Sequence, residues 1–270
     1  MPKPFGAGDL RTLWRDNRFM RALNPVVQRW EVVPEKTALL VLDMNYVCAH
    51  RDYGVGPTFA RVGLKQPGYF YDRIDSTVIP NMQRLLSSFR EGHLKVIYTT
   101  MGAEKEDLSD VPPTWRWTYP RINYHRSLPG NREFEIRDEV GPLAGEPVLV
   151  KRSCGAFATT GLQELLTREG LDTLVVTGVE TDCCVYLTAV EACDRGFKTI
   201  VLRDATSSFT ETGHSIFLDV YGELFFFNVR TTDEVLTDMP RPGGVDKPHE
   251  LWHRHGEPAS RTVLKRSGSL

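Results

Sequence analysis

Residues 172–202 read DTLVVTGVETDCCVYLTAVEACDRGFKTIVL, and this stretch decides the fold. Asp172–Thr177 (DTLVVT) is short, β-branched and leucine-rich, which marks a strand. Thr181–Arg195 has the length and spacing of a helix, and Gly196 stands where that helix stops. Lys198–Leu202 (KTIVL) is a second strand. Two strands joined through a helix by short turns form a parallel βαβ unit.

The same alternation extends in both directions. Thr37–Leu42 (TALLVL) is apolar on both faces, as expected of a strand buried inside a sheet. Asp75–Arg90 carries Ile79, Met82, Leu85, Leu86 and Phe89 at helical spacing. Pro80 is tolerated there only in the first turn, and Gly92 ends the run. His93–Thr99 and Pro147–Val150 are further strands, and Thr160–Arg168 is a helix closed by Gly170. Thr210–Tyr221 reads as helical and Phe225–Val229 as a last strand. The expected fold class is α/β, a three-layer doubly wound sandwich with a mainly parallel sheet of about six strands. A TIM barrel would need eight such units. Residues 1–35 read as an N-terminal arm, 36–237 as the folded domain and 238–270 as a polar tail. Between Met101 and Glu146 lies a long segment rich in proline and aromatic residues. It fits a lid or binding loop, or a surface excursion with its own aromatic cluster.

Composition excludes several classes of function. The 270 residues are 41% hydrophobic and 25% charged with a net charge of −2, so neither a nucleic-acid footprint nor a disordered chain is expected. No run approaches the length of a membrane span. The start MPKPFGAGDL has no apolar h-region. The expected setting is therefore the cytoplasm, with five cysteines kept as thiols.

In an open parallel sheet, ligands bind beyond the carboxyl ends of the strands. Asp43, Lys151, Asp204 and the pair Cys183–Cys184 follow four of the strands, so an acid, a base and a thiol gather at one edge. A cysteine at a helix N-terminus beside an ammonium is expected to have a lowered pKa. The same N–H groups can donate to an oxyanion. These are the parts of a cysteine acyl-transfer site. The residues alone leave open which of the two adjacent cysteines reacts. Cys48, Cys154 and Cys193 read as packing thiols, with Cys154 close enough in sequence to Lys151 to reach a pocket. His214 reads as a structural histidine, and no cysteine–histidine spacing matches a zinc site.

The segments ALLVLDMN, VLVKRSCGAF and VVTGVETDCCVYLTAVEACDRGF resemble, in order, three motifs of the isochorismatase-like cysteine hydrolases. That family includes nicotinamidases, N-carbamoylsarcosine amidases and the ureidoacrylate and biuret amidohydrolases. The resemblance spans roughly Lys36 to Val235 and implies a catalytic Asp43, Lys151 and Cys184. It assigns the nucleophile to Cys184, directly before Val185. It also implies a cis peptide between Val179 and Glu180, and an oxyanion hole formed by the backbone N–H groups of Glu180 and Cys184. Asn45, Tyr46, Trp115, Phe157 and Glu180 are the expected substrate contacts.

Three departures sharpen the expectation. Asn45 replaces the family's usual glutamine, and Glu180 stands where a small residue is common. The Asp-x-His metal pattern of nicotinamidases is missing from YTTMGAEKED, so no metal and no cofactor are expected. The presence of Cys184 favours C–N cleavage over the vinyl ether hydrolysis of true isochorismatases. The expected partner is a small amide, ureido or carbamoyl substrate, with no nucleic acid and no membrane, in a homo-dimer or homo-tetramer. The competing readings are an ether hydrolase and a non-catalytic binding relative.

Overall fold

The computed structural model describes residues 29–65, 67–219, 222 and 227–239. The arm before residue 29, the tail after residue 239, Tyr221 and Phe225–Phe226 lie outside the described residues. Six strands form one sheet: β1 (Thr37–Leu42), β2 (Lys95–Met101), β3 (Val148–Lys151), β4 (Thr173–Val179), β5 (Lys198–Ser207) and β6 (Asn228–Arg230). Their order is β3-β2-β1-β4-β5-β6, and every pairing is parallel. The chain builds outward from β1 through β2 to β3, then crosses back to place β4 on the other side of β1. The switch point of the sheet therefore lies between β1 and β4, where the crevice of a doubly wound fold opens.

The helices are α1 (Tyr46–Ala49), α2 (Val55–Arg61), α3 (Gly68–Arg73), α4 (Ile79–Glu91), α5 (Pro113–Thr118), α6 (Ala156–Thr159), α7 (Leu162–Arg168), α8 (Tyr186–Asp194), α9 (Glu211–Ile216) and α10 (Thr232–Asp238). All six residues of β1 are buried, because each face of the strand has its own core. On one face Leu39 and Val41 pack with Met82, Leu85, Leu86 and Phe89 of α4 and with Val235 of α10. On the other, Ala38, Leu40 and Leu42 pack with Leu162, Leu165 and Leu166 of α7 and with Ala189 and Ala192 of α8. The strand's period of two divides its side chains between two helical layers. Each fully buried leucine contributes about 1.5–3 kcal/mol of transfer free energy.

Several expected boundaries shift: β2 runs from Lys95 to Met101, β3 takes in Lys151, and α4 begins only at Ile79 after a π-helical stretch, Ile74–Val78. Two further shifts matter most for the site. β5 continues to Ser207, so Asp204 lies within the strand rather than after it. Its Oδ1 accepts bonds from the N–H and hydroxyl of Thr232, which anchors α10. The expected helix from Thr181 opens instead as a wide π-helical turn, Thr181–Val185, and continues as α8.

Candidate active site

Asp43 ends β1 in left-handed backbone with φ of 52°, a conformation that aspartate tolerates better than most residues. Its N–H meets the Thr99 carbonyl at 3.2 Å, and the Thr99 hydroxyl donates to Oδ1 at 2.7 Å. Oδ2 receives no hydrogen bond, but it lies 2.8 Å from the Lys151 ammonium. One oxygen is thus held by a hydroxyl, and the other is paired with a cation. Gly178 makes this junction possible. Its φ is 108°, and a Cβ there would come within 2.0 Å of the Leu42 carbonyl oxygen.

Lys151 is the last residue of β3, two strands from β1, and its side chain is fully buried. The long stem carries Nζ to the Ser153 and Cys154 carbonyls at 2.7 and 3.0 Å. It also meets the Met101 sulfur at 3.2 Å and Cys184 Sγ at 3.3 Å. Burial alone would pull its pKa down. The Asp43 carboxylate and Cys184 outweigh burial and raise it, so the group stays an ammonium.

Cys184 lies in the π-helical turn. The N–H groups of Cys183 and Val185 both donate to the Glu180 carbonyl at 3.1 Å. His214 braces the turn from behind. Its Nε2 lies 3.2 Å from Arg73 Nη2, and an arginine only donates. Nε2 must therefore accept, Nδ1 carries the proton, and Nδ1 donates to Thr181 Oγ1 at 2.8 Å. Burial, with help from Arg73 and Arg203, lowers the His214 pKa to about 3, which keeps the ring neutral. The Ser208 hydroxyl holds Asp182 in the same turn.

The expected lowering of the cysteine pKa is reversed. A hydrogen bond with Cys154 pulls Cys184 down. The hydrogen bond with Cys183, burial and the Asp43 carboxylate overcome that pull and the Lys151 charge, leaving the thiol well above its ordinary range. The resting pair is a neutral thiol beside a carboxylate. Cys154 Sγ and Cys183 Sγ lie 3.3 Å apart, and together with Cys184 Sγ all three atoms fall within 4.8 Å of one another. Among the described residues, these thiols are the one grouping able to hold a metal ion. The hydrogen bond to Cys183 lowers Cys154, but its contact with Cys184 and burial push it up to about 12. Cys183 is raised to about 12 chiefly by its hydrogen bond to Cys154.

A cavity of about 180 Å³ opens beside Cys184. Trp115 and Glu180 line it as expected. Asn45, Tyr46 and Phe157 are not among its walls. Asn45 is fully buried and donates to the carbonyls of Met101 at 2.8 Å and Glu133 at 3.3 Å, fastening the long 102–146 segment to the sheet. The Tyr46 ring lies under the Arg132 guanidinium at 4.0 Å. Phe157 stacks on Phe197 with ring centroids 5.8 Å apart, in the core on the far face of the sheet. Ile122 and Tyr124 of the long aromatic segment also line the cavity, as do Cys48, Val55 and Phe209, which sequence reading missed. The aromatic segment divides its work. Trp115, Ile122 and Tyr124 form wall, Tyr119 is buried in the core, and Trp117 is exposed.

An open parallel α/β sheet thus brings a buried acid, ammonium and thiol together beyond the carboxyl ends of its strands. The comparisons give the family. The family model described as Isochorismatase domain matches residues 37–234, and the chain belongs to that family. It is 32% identical over 158 residues to N-carbamoylsarcosine amidase of an Arthrobacter species, covering 56% of this chain and 60% of that protein. It is 28% identical over 184 residues to ureidoacrylate amidohydrolase RutB of Serratia proteamaculans, covering 64% and 70%. Among solved structures, a cysteine hydrolase from Pseudomonas syringae pv. phaseolicola matches with a TM-score of 0.64 and 25% identity, over 78% of this chain and 95% of that one. The match spans less than two thirds of the Arthrobacter amidase. No helix among the described residues is long and apolar enough to cross a membrane.

Proposed function

We propose that the chain is a cysteine-dependent amidohydrolase that cleaves a C–N bond of a small amide, ureido or carbamoyl substrate. One observation carries this reading: a single buried ammonium touches both Asp43 Oδ2 at 2.8 Å and Cys184 Sγ at 3.3 Å. It joins a carboxyl group able to accept a proton to a thiol that has one to give.

In the proposed reaction Asp43 Oδ2 takes the Cys184 proton as the sulfur attacks the substrate carbonyl carbon. The backbone N–H groups of Glu180 and Cys184 donate to the resulting oxyanion, and Lys151 adds its charge. Asp43 then passes the proton to the departing nitrogen, the C–N bond breaks, and a thioester remains. A water molecule loses a proton to Asp43 and attacks the thioester carbon. The C–S bond breaks and the sulfur regains its proton. Every proton passes through one carboxylate. A resting neutral thiol suits this order of events, because the charge forms only as the substrate arrives.

Ammonia release from a panel of primary amides and ureides tests the reading. Cys184→Ala should abolish release, and Cys183→Ala should retain most of it. A dead Cys183→Ala with an active Cys184→Ala would move the nucleophile by one residue. Pyruvate release from an isochorismate-like ether, with no ammonia from any amide, would replace the amidase reading by ether hydrolysis.

A further inference from the structure

The cavity walls carry an unusual balance of charge for a site that binds small polar molecules. Val55, Met101, Trp115, Ile122 and Phe209 supply apolar surface, and Glu180 supplies a carboxyl group. No arginine, lysine or histidine is among the lining residues. Lys151 lies just behind the wall, but its ammonium is already engaged by Asp43, two carbonyls and two sulfurs. The Glu180 carboxyl has no hydrogen-bond partner among the described residues. It stands four positions before Cys184 and faces the same small space.

We propose that Glu180 is the specificity-determining group of this site, and that it selects an uncharged substrate bearing a second carboxamide or ureido group opposite the scissile carbonyl. This rests on the amidohydrolase reading and names its substrate class. The carboxyl group is half-buried and faces the cavity with no protein partner among the described residues, so a ligand seated there is expected to supply one. Burial, reinforced by the charges of Asp182 and Asp43 and opposed by Lys151, raises Glu180 to about 8. At neutral pH the group is mainly the neutral acid. A neutral acid offers one O–H donor and one carbonyl acceptor, which matches the C=O and N–H edge of an amide. A substrate carboxylate at the same place would be desolvated against apolar walls with no cation to receive it.

The test compares two substrates with the same carbon chain, succinamide and succinamate, in the wild-type enzyme and in Glu180→Leu and Glu180→Gln. Wild type should hydrolyse the diamide with kcat/KM at least about tenfold above the half-acid. Glu180→Leu, which offers neither donor nor acceptor, should raise KM for the diamide by about tenfold or more. Glu180→Gln, which offers both, should restore the low KM. Thermal melting of each variant confirms that it is folded. Equal or better turnover of the half-acid overturns the proposal while leaving the amidohydrolase reading intact. So does a Glu180→Leu enzyme with unchanged KM. A wild-type enzyme that hydrolyses neither amide, nor any other in the ammonia panel, overturns both.

Discussion

Two aspartate–lysine pairs sit at opposite ends of the same sheet. Asp172 precedes β4 and Lys198 opens β5, with Oδ2 and Nζ 3.1 Å apart and side chains 47% and 40% exposed. Asp43 and Lys151 close β1 and β3, 2.8 Å apart and at most 1% exposed. The chemistry of the two pairs is the same, and water makes the difference. The exposed pair is screened and contributes about 0–1 kcal/mol. The buried pair pays a large desolvation cost, so neither member can be removed without stranding the other's charge. Its Coulomb field also acts at nearly full strength on the neighbouring thiol. Fold stability draws little from either pair. Only the buried one can do chemistry.

Breaking the buried pair should give the largest effect. Lys151→Met leaves the Asp43 carboxylate alone in the interior and should destabilise the protein by about 3–5 kcal/mol in urea unfolding. It should also lower ammonia release by at least about a hundredfold. Adding Asp43→Asn to Lys151→Met removes the stranded charge. The double variant should regain part of the stability and none of the turnover. A single variant that keeps wild-type stability would show that the remaining charge is solvated as well as it is at the surface.

Asp43→Asn alone sharpens the comparison in another way. The substitution removes the proposed base, so turnover should fall by about 10²–10⁴. It also removes one of the charges that hold the Cys184 thiol above its ordinary pKa. Iodoacetamide should therefore alkylate Cys184 faster at pH 7 in the inactive variant than in the wild type. Alkylation slowed by the substitution would mean that Asp43 lowers the thiol pKa rather than raising it.

His214 provides an intermediate case, buried like Lys151 but one residue removed from the chemistry through Thr181. His214→Asn should lower kcat by about tenfold with little change in KM, because it loosens the turn that carries Cys184. The pH dependence has a definite sign. The folded pKa of about 3 lies below the ordinary 6.5, so the unfolded chain binds the extra proton between these values. The contribution of the neutral ring is present above pH 6.5 and is lost as pH falls toward 3. In urea unfolding between pH 6.5 and 4, the wild type should lose stability more steeply than His214→Asn.

These cases also mark how far the chain could be read before folding. β1 was legible to the residue, because Thr37–Leu42 is buried on both faces and local composition alone reports that. The ends of β1, β3 and β4 then located Asp43, Lys151 and the turn of Cys184. What stayed hidden depends on contacts made across long sequence separations. Asn45 and Tyr46 neighbour Asp43 in sequence, but the chain turns them toward the 102–146 segment and away from the cavity. Val55 and Phe209 reach the cavity wall from distant segments with no local pattern to announce them. The cysteine pKa failed for the same reason. A helix start is visible in sequence, whereas burial of one sulfur beside Cys183 and Asp43 is a property of the folded site.

The smallest expected effect belongs to the exposed pair, and it completes the comparison. Asp172 accepts a hydrogen bond from the Thr173 hydroxyl at 2.7 Å as well as the Lys198 charge. Asp172→Asn can keep that hydroxyl contact and should leave turnover unchanged. A double-mutant cycle with Lys198→Met should return a coupling of at most about 1 kcal/mol. In about 1 M salt the Debye length shrinks to about 3 Å, and the coupling should fall toward zero. The corresponding cycle of Asp43→Asn with Lys151→Met should keep most of its coupling in the same salt, because both side chains are buried away from the bulk electrolyte. Equal salt sensitivity in the two cycles would mean that burial is not what separates the pairs.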